Sequence, residues 1–418
     1  MKARIRDWMR QLGPGLITGA ADDDPSGIAT YSQAGAQFGL LTLWTVVFTY
    51  PLMVGIQMVS ARIGRVTGHG LAANIRSHFP RPIVYAVVGL LVIANTINIA
   101  ADIAAMGDAL RLLIGGPGHI YAIAFGVVSL LLQVFLTYQR YVRYLKWLTL
   151  ALLAYVVMVL TVNIPWHEVL AHAVVPHFSI TTEYLTVVVA VFGTTISPYL
   201  FFWQASQEVE EIEADPHAYA LAKSPDGAQK HLRRIKIDTY IGMGFSNLVA
   251  FCIILATAAT LHVAGVTNIE TSAQAAEALR PLAGQAAFLV FALGIIGTGL
   301  IAVPVLAGSA AYAVTEAFQW KRGLDLKLLE AREFYAIIAL ATLGGIAFDF
   351  SPINPIKALF WSAVINGVIA VPIMMVMMLL ADDAKVMGRF TVTRRLKALG
   401  WLATGTMAAA VMAMFATW

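Results

Sequence analysis

Asp22, Asp23 and Asp24 stand in the middle of an otherwise apolar stretch, GLITGAADDDPSGIATYSQAG, and Pro25 follows them directly. A carboxylate at the centre of a membrane helix costs about 2.5–3.5 kcal/mol on insertion scales, so three in a row must face protein or water rather than lipid. Proline removes a backbone donor and disfavours helix in the residue before it. The stretch therefore predicts a membrane helix broken at Asp24-Pro25, with carboxylates at the break. Secondary transporters hold ions at interruptions of this kind.

Composition puts that helix in a membrane. Of 418 residues, 59% are hydrophobic and only 12% are charged, whereas a soluble domain carries about 25% charged residues. The single cysteine, Cys252, excludes an intrachain disulfide. The basic opening MKARIRDWMR is followed by Gly-Pro-Gly and the aspartates. That is not a clean apolar run ending in a small-residue cleavage site, so a retained first span is expected.

A membrane-crossing helix needs about 20 mostly apolar residues. Eleven stretches qualify, at roughly 12–36, 41–65, 83–114, 119–138, 146–164, 184–206, 238–262, 286–317, 334–349, 357–380 and 398–417. Lys2, Arg4, Arg6 and Arg10 precede the first, and Arg62, Arg65, Arg76 and Arg81 follow the second. Arg140, Arg143 and Lys146 follow the fourth, and Lys223, Lys230, Arg233, Arg234 and Lys236 the sixth. Lys321, Arg322, Lys327 and Arg332 follow the eighth, and Lys385, Arg389, Arg394, Arg395 and Lys397 the tenth. Of the 28 basic residues, only Arg111, Arg280 and Lys357 fall on the opposite side. Cytoplasmic loops carry the Lys/Arg excess, so the N-terminus is expected inside and the C-terminus outside, in a multi-pass protein of the cell membrane. Placed this way, the net charge of +4 calls for a lipid bilayer and no nucleic acid.

The sixth stretch contains FGTTISPYLFFWQ, with a Ser197-Pro198 step near its middle. Small residues precede both prolines: Gly19, Ala20 and Ala21 in one case, Gly193, Thr194 and Thr195 in the other. The first and sixth stretches enter from opposite sides. The pattern is an inverted repeat: repeat one at about 12–164, repeat two at about 184–380, and an extra helix at about 398–417, all in one transmembrane domain spanning 1–418. Matched interruptions point to a midplane binding site.

Asp24 is the leading site candidate, because unwound carbonyls beside its carboxylate suit a hard divalent cation. Its side chain also fits the role of helix cap ahead of Pro25, and the two roles are compatible. Asp22 and Asp23 point elsewhere and are ion-path candidates. Asn95, Asn98 and Asp102 share one polar face of the third stretch, which either lines a path or bonds neighbouring helices. Asn366 interrupts the tenth stretch; Ser32, Gln33 and Gln204 are weaker candidates. Glu208, Glu210, Glu211 and Glu213 read as a solvated helix end, or as a cation-attracting funnel. There is no catalytic nucleophile–base set, phosphate loop or dinucleotide fingerprint, so no enzyme is expected, and no cofactor beyond the transported ion itself.

These residues resemble a known family. GPGLITGAADDDPSGIATYSQAGAQFG is similar to the first helix of the Nramp family of divalent-metal transporters. The likeness continues through SARIGRVTG, ADIAAMGDAL and FALGIIGTGLIAVPVLAGSAAYAVTEAF. The resemblance implies an all-α, LeuT-like fold of five plus five inverted helices with an eleventh, and transport of a divalent metal, often with protons. It places the family's metal-binding aspartate on Asp24, its proline on Pro25 and its asparagine ligand on Gly27. The family's Met-Pro-His in the sixth helix falls on Ser197, Pro198 and Tyr199, and a further histidine on Gln204. Its acidic pair in the third helix falls on Asp102 and Ala105.

With the break positions Ala21 and Thr194, the candidate metal set is Asp24, Ala21, Gly27, Thr194 and Ser197. Loss of the thioether at Ser197 and of bulk at Gly27 predicts a roomier, harder pocket suited to Mg2+ or Mn2+, as in a divergent, magnesium-carrying branch. Loss of the histidines predicts weak or absent proton coupling. The alternative is a LeuT-like symporter of an organic solute such as an amino acid; the aspartates would repel its carboxylate. A non-transporting sensor would be expected to show a signalling domain, and none is recognisable.

Overall fold

The computed structural model describes residues 14–135, 148–162, 164–215, 217–324, 326–348, 350 and 353–418. Lys2, Arg4, Arg6, Arg10, Arg140, Arg143 and Lys146 lie outside the described residues. Every regular element among the described residues is helical.

The first apolar stretch is two helices, α1 (Pro14–Asp22) and α2 (Pro25–Phe38). Pro25 takes the first helical position of α2, where its missing N–H is no loss. Asp24 is the N-cap, with extended backbone (φ −68°, ψ 168°), and its side chain accepts from the Gly27 N–H. The chain continues through α3 (Leu43–Thr67), α4 (Leu71–His78), α5 (Arg81–Ile114), α6 (Gly118–Phe135), α7 (Leu153–Thr161) and α8 (Trp166–Val174). The sixth stretch is also two helices, α9 (Thr182–Thr195) and α10 (Pro198–Ala214). Ser197 is the N-cap (φ −80°, ψ 127°) and Pro198 the first helical residue. The remainder is α11 (Ala228–Thr257), α12 (Ser272–Glu277), α13 (Ala287–Phe318), α14 (Arg332–Phe348), α15 (Pro355–Asp382) and α16 (Arg394–Ala416).

Eight helical runs among the described residues are long and apolar enough to cross a membrane, and one of them, Pro25–Thr67, joins α2 to α3. The fifth and ninth apolar stretches appear as the shorter helices α7 and α14. Short helices α4, α8 and α12 fall in connections where the sequence carried no strong periodic signal.

Glycine sets how closely the helices approach. α1 lies on α11, and a Cβ added at Gly19 would sit 2.7 Å from the Gly242 Cα. α9 lies on α15, and a Cβ at Gly193 would sit 2.7 Å from the Gly367 Cα. α10 packs on α3, and α13 runs along α5. Four of the loops rich in Lys and Arg lie among the described residues, and contacts join them at one end. There Arg62 donates to the Phe390 carbonyl (2.9 Å) and Thr391 carbonyl (3.0 Å), and Arg234 pairs with Glu208 (2.5 Å). At the other end Ser272 donates to Asp108 (2.5 Å), Thr182 to the Thr417 carbonyl (2.6 Å), and Lys357 faces Glu270 at 3.6 Å. The two helix breaks meet between these ends, among the fully buried rings of Tyr31, Tyr199 and Trp203.

Candidate metal centre

Asp24 is 1% exposed, and three donors bond its carboxylate. Oδ1 accepts from the Ser26 hydroxyl (2.6 Å) and the Gly27 N–H (2.8 Å), both from the first turn of α2. Oδ2 accepts from the Asn98 amide of α5 at 3.1 Å, and the Tyr199 hydroxyl of α10 stands 3.5 Å away. Ser362 on α15 donates to the Asn98 carbonyl oxygen (2.8 Å), which turns the Asn98 NH2 toward Asp24. Hydrogen bonds to an ionised acceptor are about twice as strong as neutral ones. The chain thus satisfies a buried anion with its own dipoles, and draws four helices onto one carboxylate.

Around Asp24 the candidate positions divide. The Tyr199 hydroxyl donates to the Ala21 carbonyl at 2.9 Å. Gly27 presents its N–H to Asp24 and has no side chain to offer; a Cβ there would stand 3.2 Å from Thr194 Oγ1 and 3.4 Å from the Tyr31 ring. Thr194 Oγ1 is buried and has no hydrogen-bond partner. The Ser197 hydroxyl turns back onto its own helix, donating to the Gly193 carbonyl (2.9 Å) or the Thr194 carbonyl (2.8 Å). Thr194 Oγ1 and the Tyr31 ring thus stand beside the position a larger side chain at Gly27 would take.

The remaining candidates lie apart from this cluster. Ser246 of α11 sits between Asp22 and Asp23, with its hydroxyl oxygen 2.6 Å from Asp22 Oδ2 and 2.9 Å from Asp23 Oδ1. One hydroxyl hydrogen serves two carboxylates there, and Asp22 Oδ1 has no partner. Asp102 is fully buried with neither oxygen bonded, and Asn366, one turn beyond Ser362, has an unpartnered amide nitrogen. Asn95 ties α5 to α13 through the Leu306 carbonyl (2.8 Å) and Ser309 (2.7 Å), a structural role. Gln204 accepts from Gln57 at 2.9 Å. Gln33 lies at the far end of α2, donating to the Thr267 carbonyl and accepting from the Ile269 N–H. It lines a pocket of about 310 Å³ with Gln37, Asn268 and Lys357, and Asp24 is not part of that lining.

The glutamate run departs from the sequence expectation. Glu208 is wholly buried against Arg234, which also holds Glu211 at 2.8 Å. Glu210 accepts from the Tyr312 hydroxyl and the Leu324 N–H. Only Glu213 resembles a solvated end, 3.8 Å from Arg322. The run clamps α10 to α11 and α13 instead of opening a funnel.

Sequence reasoning missed Ser246, Ser362 and Gln57. Each is a small or neutral polar residue on an apolar helix, and nothing local marks its partner across 140 or more residues. Among the described residues no three His, Cys, Asp or Glu side chains group to hold a metal. The groups beside the Asp24 carboxylate are instead hydroxyls, the Asn98 amide, the Gly27 N–H and, through Tyr199, the Ala21 carbonyl.

Two broken helices, meeting at a buried carboxylate within a helical bundle, belong to an all-helical, multi-pass membrane protein of LeuT-like fold. Residues 15–417 match the family described as natural resistance-associated macrophage protein-like, and the chain belongs to that family, Nramp. The fold is similar to that of the Eremococcus coleocola manganese transporter, solved in complex with an aromatic bis-isothiourea substituted compound. That match has a TM-score of 0.75 and 18% identity, and covers 97% of this chain and 86% of that one. It is also similar to Mhp1, a nucleobase-cation-symport-1 family transporter, in a closed conformation with bromovinylhydantoin bound. There the TM-score is 0.58 and the identity 14%, covering 97% and 92% of the two chains.

Proposed function

We propose that this chain is a secondary transporter that moves a divalent metal cation by alternating access, with Asp24 as the metal-binding carboxylate and Mg2+ or Mn2+ as substrate. Membership of the Nramp family supports the class of substrate, and the similar Eremococcus coleocola protein is named a manganese transporter. The observation that carries the site is Asp24 itself: an anion 1% exposed, at a helix break, facing a second helix break. The groups touching it are hydroxyls, an amide and a backbone N–H, with the Ala21 carbonyl alongside and no thioether among them. Oxygen donors favour hard cations. Because protein donors close on Asp24, a cation enters only after these donors part. The carboxylate of an organic solute such as an amino acid would meet three buried aspartates.

The loops bearing the Lys/Arg excess support a cytoplasmic N-terminus and an external C-terminus. Proton coupling is weak or absent in this reading, with Asp102 the remaining group that would carry a proton. The test is Cd2+ against Mg2+ uptake by purified protein in liposomes, in wild type and Ser197→Met. Wild type takes up Mg2+ and Mn2+, and the added thioether raises Cd2+ uptake. Preference of wild type for Cd2+ at low concentration, unchanged in the variant, overturns the hard-ion assignment.

A further inference from the structure

The proline at each helix break removes the helical donor of one particular carbonyl, and the two carbonyls so affected are both candidate metal ligands. In a helix the carbonyl of residue i accepts from the N–H of residue i+4. Four residues after Ala21 comes Pro25, and four residues after Thr194 comes Pro198. Neither proline has an N–H, so both carbonyls lose their helical partner by covalent structure alone. A buried carbonyl needs a donor. The donors present are the two hydroxyls that flank Pro198: Tyr199 donates to the Ala21 carbonyl at 2.9 Å, and Ser197 reaches the Thr194 carbonyl at 2.8 Å. Tyr199 and Ser197 are 0% and 2% exposed, so water does not compete freely for these positions.

We propose that Tyr199 and Ser197 form a hydroxyl latch that occupies the two proline-orphaned carbonyls in the metal-free protein and is displaced by the incoming cation. The proposal rests on the assignment of Asp24 as the metal site. It gives these residues a positioning role: they set the threshold a cation must exceed to take the carbonyls. Tyr199 is the main element. Its hydroxyl bridges α10 to the last turn of α1 and has no second carbonyl acceptor of its own helix to fall back on. The Ser197 hydroxyl has a second acceptor in the Gly193 carbonyl at 2.9 Å, so its release costs less.

The test compares Mn2+ binding to purified wild type, Tyr199→Phe, Ser197→Ala and Asp24→Asn, with Tyr199→Leu as a second hydroxyl-free variant should the phenylalanine protein fail to fold. One neutral hydrogen bond removed from the empty state alone corresponds to roughly two- to twelvefold in an equilibrium constant. Tyr199→Phe should therefore bind Mn2+ about three- to tenfold more tightly, and Ser197→Ala less than threefold. Tyr199→Phe should also unfold at a lower temperature than wild type without metal, and the gap should close at saturating Mn2+. A merely structural tyrosine would lower both temperatures equally and leave the affinity unchanged. Unchanged or weaker Mn2+ binding by Tyr199→Phe and Tyr199→Leu, with binding lost in Asp24→Asn, overturns the latch and leaves the metal site standing. Normal binding by Asp24→Asn overturns both.

Discussion

Replacing Gly19 by alanine tests the packing that holds the half-helix α1 in place. The added Cβ would lie 2.7 Å from the Gly242 Cα and closer still to its carbonyl. Carbon atoms pack best at about 3.5–4.0 Å, so α1 must withdraw from α11 by about 1 Å. Neither contact is the end of a flexible side chain, and no rotamer change relieves it. Overpacking of this kind costs about 1–3 kcal/mol. The same displacement stretches the hydrogen bond from Tyr199 to the Ala21 carbonyl, now 2.9 Å, beyond bonding range. Gly19→Ala is thus expected to lower the thermal unfolding temperature of the purified protein and to reduce metal uptake in liposomes. Gly89→Ala and Gly405→Ala are controls, because a Cβ at either position meets nothing within 4 Å. Both should be neutral, or more stable by up to about 1 kcal/mol through helix propensity. A Gly19→Ala protein as stable and as active as these controls would refute the close approach.

The clamp at the basic end separates buried from exposed charge: Arg234→Ala strands Glu208, whose side chain is 0% exposed, and should cost about 3–5 kcal/mol. Arg280→Ala breaks the exposed pair with Glu277 and should cost no more than about 1 kcal/mol; equal effects on unfolding temperature would contradict the clamp. For topology, in a Cys252-free background, a cysteine at Ser224 should be protected from an impermeant thiol reagent in intact cells and one at Thr271 should react, and the reverse labelling would invert the assigned orientation.

The breaks were legible because their cause is covalent. Pro25 and Pro198 lack a donor wherever the chain folds, and a capping aspartate ahead of Pro25 is a local signal. The positions of the long apolar stretches followed from hydropathy, and eight helical runs among the described residues are long and apolar enough to cross a membrane. The lining of the site was less legible, since its members come from α2, α5, α10 and α15. Nothing beside Ser362 in the sequence marks it as the residue that orients Asn98. The expectation of a roomy pocket rested on a partial count for a related reason. It counted bulk lost at Gly27 and Ser197 and could not count the neighbours beside Gly27, Thr194 Oγ1 at 3.2 Å and the Tyr31 ring at 3.4 Å from the missing Cβ. The glutamate run misled in the same way, because Arg234, which buries Glu208, lies on another helix.

The central claim is that Asp24 binds the transported cation, and Asp24→Asn tests it most directly. Asparagine caps a helix about as well as aspartate, so the Gly27 and Ser26 contacts and the fold are retained while the charge is removed. The measurement is Mg2+ and Mn2+ uptake by liposomes holding equal amounts of folded wild-type or variant protein, read with an ion-sensitive dye inside the vesicles. Wild-type uptake that is severely reduced in Asp24→Asn is the predicted result, and uptake by the variant at the wild-type rate and affinity would contradict it.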